Sequence, residues 1–235
     1  MLEVSFKERV KNVAISVVHD YKKNYVDYEY LICSDAFVVK DYYIIDAKPD
    51  NYPHLIGVHS LISPQDFYDK CYNGTLKETD FDFVKQGHSE KSVIGSVRRK
   101  ILALPNMITL FQNDFWAEET FIKNNVVCTF ATTDNKCTLG FIDASKSRPK
   151  SLIKGNELDA TKAKSVNLLL KKQIDKEYFD EIIIGDSKML MQYYEIIREL
   201  VDKNLFPIAG LIEKQLLVKK MIAEKLEETG STSEN

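Results

Sequence analysis

Residues 126–143 read VVCTFATTDNKCTLGFID, and this order of side chains predicts a β-hairpin. Val126–Thr132 and Cys137–Asp143 each alternate at period two, and Asp134-Asn135 supplies turn chemistry between them. Centred on that turn, the register sets Cys137 opposite Thr132, four residues from Cys128. At about 3.3 Å per residue the two thiols are offset by about 13 Å, beyond the reach of a disulfide. Cys33, Cys71, Cys128 and Cys137 show no C-x-x-C spacing and no Cys/His cluster. Reduced, partly buried thiols are expected, and no structural zinc site.

Outward from the hairpin the pattern alternates between helix and strand. Residues 4–22 carry Val4, Val10, Val13, Ala14 and Val17 near helical spacing. Tyr28–Cys33 and Tyr42–Ile45 are short β-rich runs, and residues 46–51 form a loop by their breakers. Leu55–Val58 reads as a strand, with His54 at its mouth behind Pro53. Ser63-Pro64 starts a helix that ends at Asn73-Gly74. Thr79–Val84 reads as a short strand. Ser89 caps a helix over 90–103 that Pro105 ends, and Ile108–Glu119 reads as helical. Ser145–Asn156 is a basic, polar segment. Val166–Leu170 and Phe179–Ile184 are strand candidates, and 187–203 and 208–228 are helical. The order predicts an α+β fold: a small, mostly antiparallel sheet with flanking helices and a C-terminal helical hairpin. Residues 1–186 form the expected α+β domain, and 187–235 the C-terminal helices and polar tail.

Composition narrows the function. The 235 residues are 44% hydrophobic and 29% charged, as in an ordinary globular chain. No apolar run reaches the roughly 18 residues of a membrane span, and the start lacks the basic-then-apolar order of a signal peptide. A cytoplasmic location without membrane association is the expectation. Net charge is −3, yet residues 145–176 carry +6, residues 85–100 carry +4, and the remainder −13. Such segregation is what a polyanion binder needs, although charge runs commonly scatter once a chain folds. There is no phosphate-cradling glycine motif, no H-E-x-x-H, no D-x-D-x-D-G and no G-x-S-x-G. The paired carboxylates (Asp80/Asp82, Glu118/Glu119, Asp180/Glu181) come without a histidine at metal-ligand spacing. No metal and no cofactor is expected, which leaves chemistry run by His, Lys, Arg, Ser and Thr.

Several short blocks together resemble a known family. They are Pro53-His54-Leu55-Ile56-Gly57-Val58, then Ser63-Pro64-Gln65-Asp66-Phe67-Tyr68-Asp69-Lys70-Cys71 and Asn73-Gly74-Thr75-Leu76. Further on come Cys137-Thr138-Leu139-Gly140-Phe141, Pro149–Asn156 and Ile182-Ile183-Ile184-Gly185-Asp186. Across roughly residues 52–186 they resemble the fourth group of phage-associated barnase/EndoU/colicin/RelE-like nucleases. The resemblance implies a metal-independent endoribonuclease of toxin or mobile-element type. The ribose 2′-hydroxyl would attack the adjacent phosphate, helped by a proton acceptor, a proton donor and cations.

On that basis the candidates take roles. His54 is the acid–base residue, since imidazole suits proton transfer near neutral pH. Lys91 stands in the first turn of a helix, where a cation opposes the helix dipole and so points to a ligand. Ser151, behind Pro149, joins them in the catalytic set. Arg148 and Lys154 hold phosphate or RNA in the most basic stretch, with Arg98 on the helix and Thr138 on the second hairpin strand. Each has a plainer alternative: a strand-edge histidine, a tolerated surface charge, a turn hydroxyl, a strand threonine. RNA is the expected partner, with an inhibitor protein and a homodimer through the C-terminal helices as further candidates. Two rivals remain. One is an ADP-ribosyltransferase-like toxin, which would bind NAD; the other is a non-enzymatic inhibitor or adaptor module.

Overall fold

The structure is a computed structural model that describes residues 4–222 apart from 124, 125, 209, 211, 213 and 217. The chain opens with α1 (Phe6–Tyr21), capped by Ser5, whose hydroxyl accepts the Glu8 N–H at 3.0 Å. Its buried stripe, Val10, Ala14, Val17, Val18 and Tyr21, has the three- and four-residue spacing of a single helical face. There follow β1 (Tyr28–Ser34), β2 (Tyr43–Asp46), α2 (Tyr52–Ile56), β3 (His59–Ser60), α3 (Pro64–Tyr72), β4 (Phe81–Asp82) and α4 (Glu90–Ile108). The second half holds β5 (Trp116–Lys123), β6 (Val126–Thr133), β7 (Cys137–Ile142), β8 (Arg148–Lys154), β9 (Lys164–Gln173), β10 (Glu181–Ile184), α5 (Ser187–Gln192) and α6 (Tyr194–Ile197).

The main sheet runs β2-β1-β9-β5-β6-β7-β8, with β10 also on β9, and its strand pairs are antiparallel. It curls until its two ends meet. Ser147, just before β8, donates its N–H to the Ile44 carbonyl at 2.7 Å and accepts the Asp46 N–H at 2.9 Å. A buried ionic group stands beside this seam. Glu29 on β1 pairs with Lys146 and with Lys172 on β9, the latter at 3.4 Å, while Asp46 pairs with Lys48 at 2.8 Å.

One sheet face packs on the helices. Tyr43, Phe130 and Phe141 stack with ring centroids 4.5 and 4.6 Å apart. They share a core with Val97, Ile101 and Leu104 of α4 and with Leu55 and Ile56 of α2. Each such aliphatic side chain stabilises the fold by roughly 1.5–3 kcal/mol. On the other face, Leu31, Cys33, Leu168 and Leu170 are covered by Leu190 and Ile197 of α5 and α6.

The α+β class, the antiparallel sheet, the flanking helices and the C-terminal helical region stand as expected. Several boundaries do not. Leu55–Val58 is no strand: residues 52–56 form α2, and Gly57 ends it at φ +87°. Pro105 lies inside α4 and does not end it, because the last turn continues to bury Met107 and Ile108. Ile108–Glu119 is not helical throughout; a short 3₁₀ turn at Leu110–Gln112 leads into β5. The hairpin register also moves. Thr133 pairs Thr138, and Cys137 pairs Lys154 on β8, not Thr132. The Asp134 carboxylate accepts the N–H groups of Lys136 and Cys137, and Asn135 takes φ +71°, so the loop is wider than a two-residue turn. All four cysteines are free and buried. In the C-terminal region the helix expected over 187–203 is two short ones. The described residues between 208 and 222 are helical, and the remainder of the 208–228 expectation lies outside the described residues.

Candidate active site

Pro53 stands in the first turn of α2, where its missing N–H costs nothing, and Gly57 closes the helix in the left-handed region. Tyr52, Pro53, Leu55 and Ile56 are buried, and the Tyr52 hydroxyl donates to the Ala14 carbonyl at 2.7 Å. One residue of the turn faces outward, His54. It therefore sits, exposed, on a short and otherwise buried helix, not at a strand mouth.

α4 brings a lysine to this helix. The Lys100 ammonium donates to the His54 carbonyl at 2.7 Å. Its stem lies across Gly57, where a Cβ would come within 2.6 Å of Lys100 Cδ. Gly57 is thus required twice, by its φ and by the lysine above it. Burial, and then the like charge of Lys85, push the Lys100 ammonium down to about 8. Such an amine can exchange its proton close to neutral pH. β8 packs against both α2 and α4. At its start, Arg148 stands 3.9 Å from Asp50, on the turn before α2, an ion pair too long to be a hydrogen bond.

After Gly57 the chain turns into β3, which pairs with β4 so that His59 faces Asp82. The His59 Nδ1 and the Asp82 Oδ1 are 2.9 Å apart, and the same oxygen accepts the Val84 N–H at 2.9 Å. Burial alone would raise the Asp82 carboxyl. The Val84 N–H, the His59 ring and Lys7 outweigh it and hold the group below the ordinary carboxylate range. In the loop that follows, the His88 N–H donates to the Lys85 carbonyl at 3.0 Å. Three of the four histidines, His54, His59 and His88, therefore lie on α2, β3 and the loop leading into α4.

The other sequence candidates are distributed differently. Lys91 and Arg98 are seven residues apart and share a face of α4. Lys100, two residues past Arg98, is roughly 200° round the helix from it. The Arg98 guanidinium lies over the Phe6 ring at 5.2 Å, against α1. Thr138 is fully buried; it donates to the Gly155 carbonyl at 2.7 Å and accepts the Glu157 N–H at 2.9 Å. That role is structural, the closing of the turn after β8. Ser151 is buried on β8 opposite Gly140. Its neighbour Leu152 faces the helices, and Ile153 packs with Phe121 and Cys128 on the other side. Alternation therefore turns Ser151 away from α2 and α4. Lys154 is exposed at the end of β8. Arg148 is thus brought beside the turn that precedes α2, and Ser151 and Thr138 are not.

Lys85, Lys100 and Asp82 were not singled out from the sequence. The signal for the lysines was the +4 segment 85–100, but which of its cations meets α2 depends on a contact between residues far apart in the chain. Among the described residues no group of three or more His, Cys, Asp or Glu is placed to hold a metal ion. No helix among them is long and apolar enough to cross a membrane.

A helix and a strand that carry imidazoles, set beside a cationic helix on a curled antiparallel sheet, are parts suited to a nuclease-like protein. A family model described as phage-Barnase-EndoU-ColicinE5/D-RelE like nuclease4 matches residues 16–205, and the chain belongs to that family. The match starts inside α1 and ends past α6, well beyond the blocks that carry the sequence resemblance. Comparison with curated proteins and with solved structures returns no match.

Proposed function

We infer that the chain is a metal-independent endoribonuclease whose cleaving site is the surface formed by α2, β3, the middle of α4 and the start of β8. The observation that carries this is the hold of the Lys100 ammonium on the His54 carbonyl. It supports the reading by bringing a cation against the backbone of the turn that carries the imidazole. His54 exchanges a proton with the reacting oxygens, and Lys100 stabilises the charge that develops on the phosphorane. Arg148 contributes a second, planar cation that suits phosphate, released from Asp50 when RNA binds. The ribose 2′-hydroxyl attacks the neighbouring phosphorus, so the products carry 2′,3′-cyclic phosphate and 5′-hydroxyl ends.

The test is to incubate the purified protein with total RNA and with a defined tRNA in excess EDTA, beside His54→Ala. Discrete cleavage by the wild type, with cyclic phosphate ends and a loss of about 10²–10⁴-fold in the variant, supports the reading. Absence of cleavage rejects it in favour of a binding or NAD-dependent module, and equal cleavage by both proteins removes His54 from the reaction.

A further inference from the structure

We propose that His59, held by Asp82, is the second proton-transfer group of this site, the general base that partners His54 as general acid. The assignment rests on the ribonuclease reading above and fills the place that His54 alone leaves vacant.

Four observations carry it. First, the His59 Nδ1 is 2.9 Å from a carboxylate oxygen that is itself fixed by the Val84 N–H. An ionised carboxylate only accepts, so Nδ1 carries a proton, and in the neutral ring the lone pair is on Nε2. Second, the His59 side chain is 55% exposed, so that lone pair is open to a substrate. Third, among the described residues no carboxylate holds the His54 ring, and the two imidazoles are held differently. The one fixed by a carboxylate is suited to accept a proton, because the carboxylate stabilises the imidazolium that forms. Fourth, cations from three adjoining segments stand round Asp82 and α2, while the acids just before β4 are taken up by lysines of their own, Asp80 by Lys70 at 2.8 Å and Glu78 by Lys11 at 3.9 Å. Lys7 of α1 faces Asp82, Lys85 follows β4 by three residues, and Lys100 of α4 meets the His54 carbonyl. A phosphodiester drawn to these ammonium groups would lie along β3 and α2.

The step balances without an outside reagent. The His59 Nε2 takes the proton of the ribose 2′-hydroxyl as the 2′-oxygen bonds to phosphorus. The bond from phosphorus to the 5′-oxygen breaks, and that oxygen takes the proton of the His54 imidazolium. One proton is accepted and one is given, and no water, oxidant or metal is consumed.

The experiment uses the full chain, excess EDTA and a DNA oligomer holding a single ribonucleotide. Rates are measured against pH for wild type, His59→Ala, His59→Gln, Asp82→Asn and His54→Ala. Both His59 variants should lose about 10²–10⁴-fold in rate, and imidazole in the buffer should restore part of the His59→Ala loss. Asp82→Asn should lose less and should move the acid limb of the profile to lower pH, because the ring no longer faces a carboxylate. Either the imidazole rescue or the moved limb, together with the rate loss, sustains the assignment. A wild-type rate in His59→Ala overturns it, as does a loss with neither rescue nor a moved limb, which would mark His59 as a strand fastener. Cleavage abolished by His54→Ala yet untouched in both His59 variants overturns this assignment alone. A wild type that cleaves nothing overturns the ribonuclease reading and the assignment together.

Discussion

Two groups of lysines in this molecule are treated in opposite ways. At the seam of the curled sheet, Lys146 and Lys172 meet the buried Glu29, and Lys48 meets the buried Asp46. Around α2, Lys100 has a backbone carbonyl and no carboxylate partner among the described residues, and the charge that acts on it is another lysine, Lys85. Charge matched in the fold closes a structure. Charge left unmatched raises the energy of the folded chain, and it persists where an anion from outside relieves it. On the proposed function, the contrast separates lysines that hold the protein together from a lysine that meets RNA.

The largest effect should come from breaking the matched side. Glu29→Ala leaves Lys146 and Lys172 without their acid and should cost about 3–5 kcal/mol of stability, read as a fall in the urea midpoint. A shift under 1 kcal/mol would mean that the seam is held by its backbone bridge alone. On the unmatched side, Lys100→Met should do the reverse. Cleavage should fall about 10²–10³-fold through loss of a cation at the developing charge, while stability at pH 7 rises. A simultaneous loss of both would place Lys100 with the structural lysines.

The same residue sets a pH window. Unfolded, a lysine keeps its proton to about 10.4; folded, Lys100 gives it up at about 8. Between those values the unfolded chain binds more protons, so wild-type stability should rise with pH across that window. Urea midpoints measured from pH 7 to 10.5 should show the rise in wild type and lose this contribution in Lys100→Met. Gly57→Ala comes next. The φ of +87° and the Lys100 stem both oppose a Cβ, and about 1–2 kcal/mol of stability should be lost, with cleavage reduced because Lys100 is displaced. The smallest effect belongs to Ser63→Ala. It removes the cap of α3, whose hydroxyl accepts the Asp66 N–H at 3.0 Å, and should cost about 1 kcal/mol with cleavage unchanged.

What the sequence disclosed, it disclosed through local chemistry. Ser63-Pro64 and Ser89 marked true helix starts, and the alternation around Asp134-Asn135 marked a true hairpin. The failures have physical causes. Leu55-Ile56-Gly57-Val58 is apolar without a period long enough to separate strand from helix. The decisive cues were Pro53 in the first turn and Gly57 just past the last, the ordinary asymmetry of helix ends. The hairpin register slipped because the Asp134 side chain, not the backbone alone, builds the loop. The candidate site was legible only as residue types and charge density. Its assembly was not, since Lys100 reaches His54, and Asp82 reaches His59, only through packing of distant segments.

The pairing of β1 has a consequence in time. Residues 28–34 emerge early from the ribosome, but their partner on the long side of the sheet is residues 166–173. At roughly 5–20 residues per second of synthesis, that partner follows only after on the order of ten seconds. Through that interval one side of β1 has no partner strand, and the sheet that carries β8 and its arginine cannot close. The two ends of the sheet, and with them the arginine at the start of β8, are therefore joined late in synthesis, after most of the chain has been made.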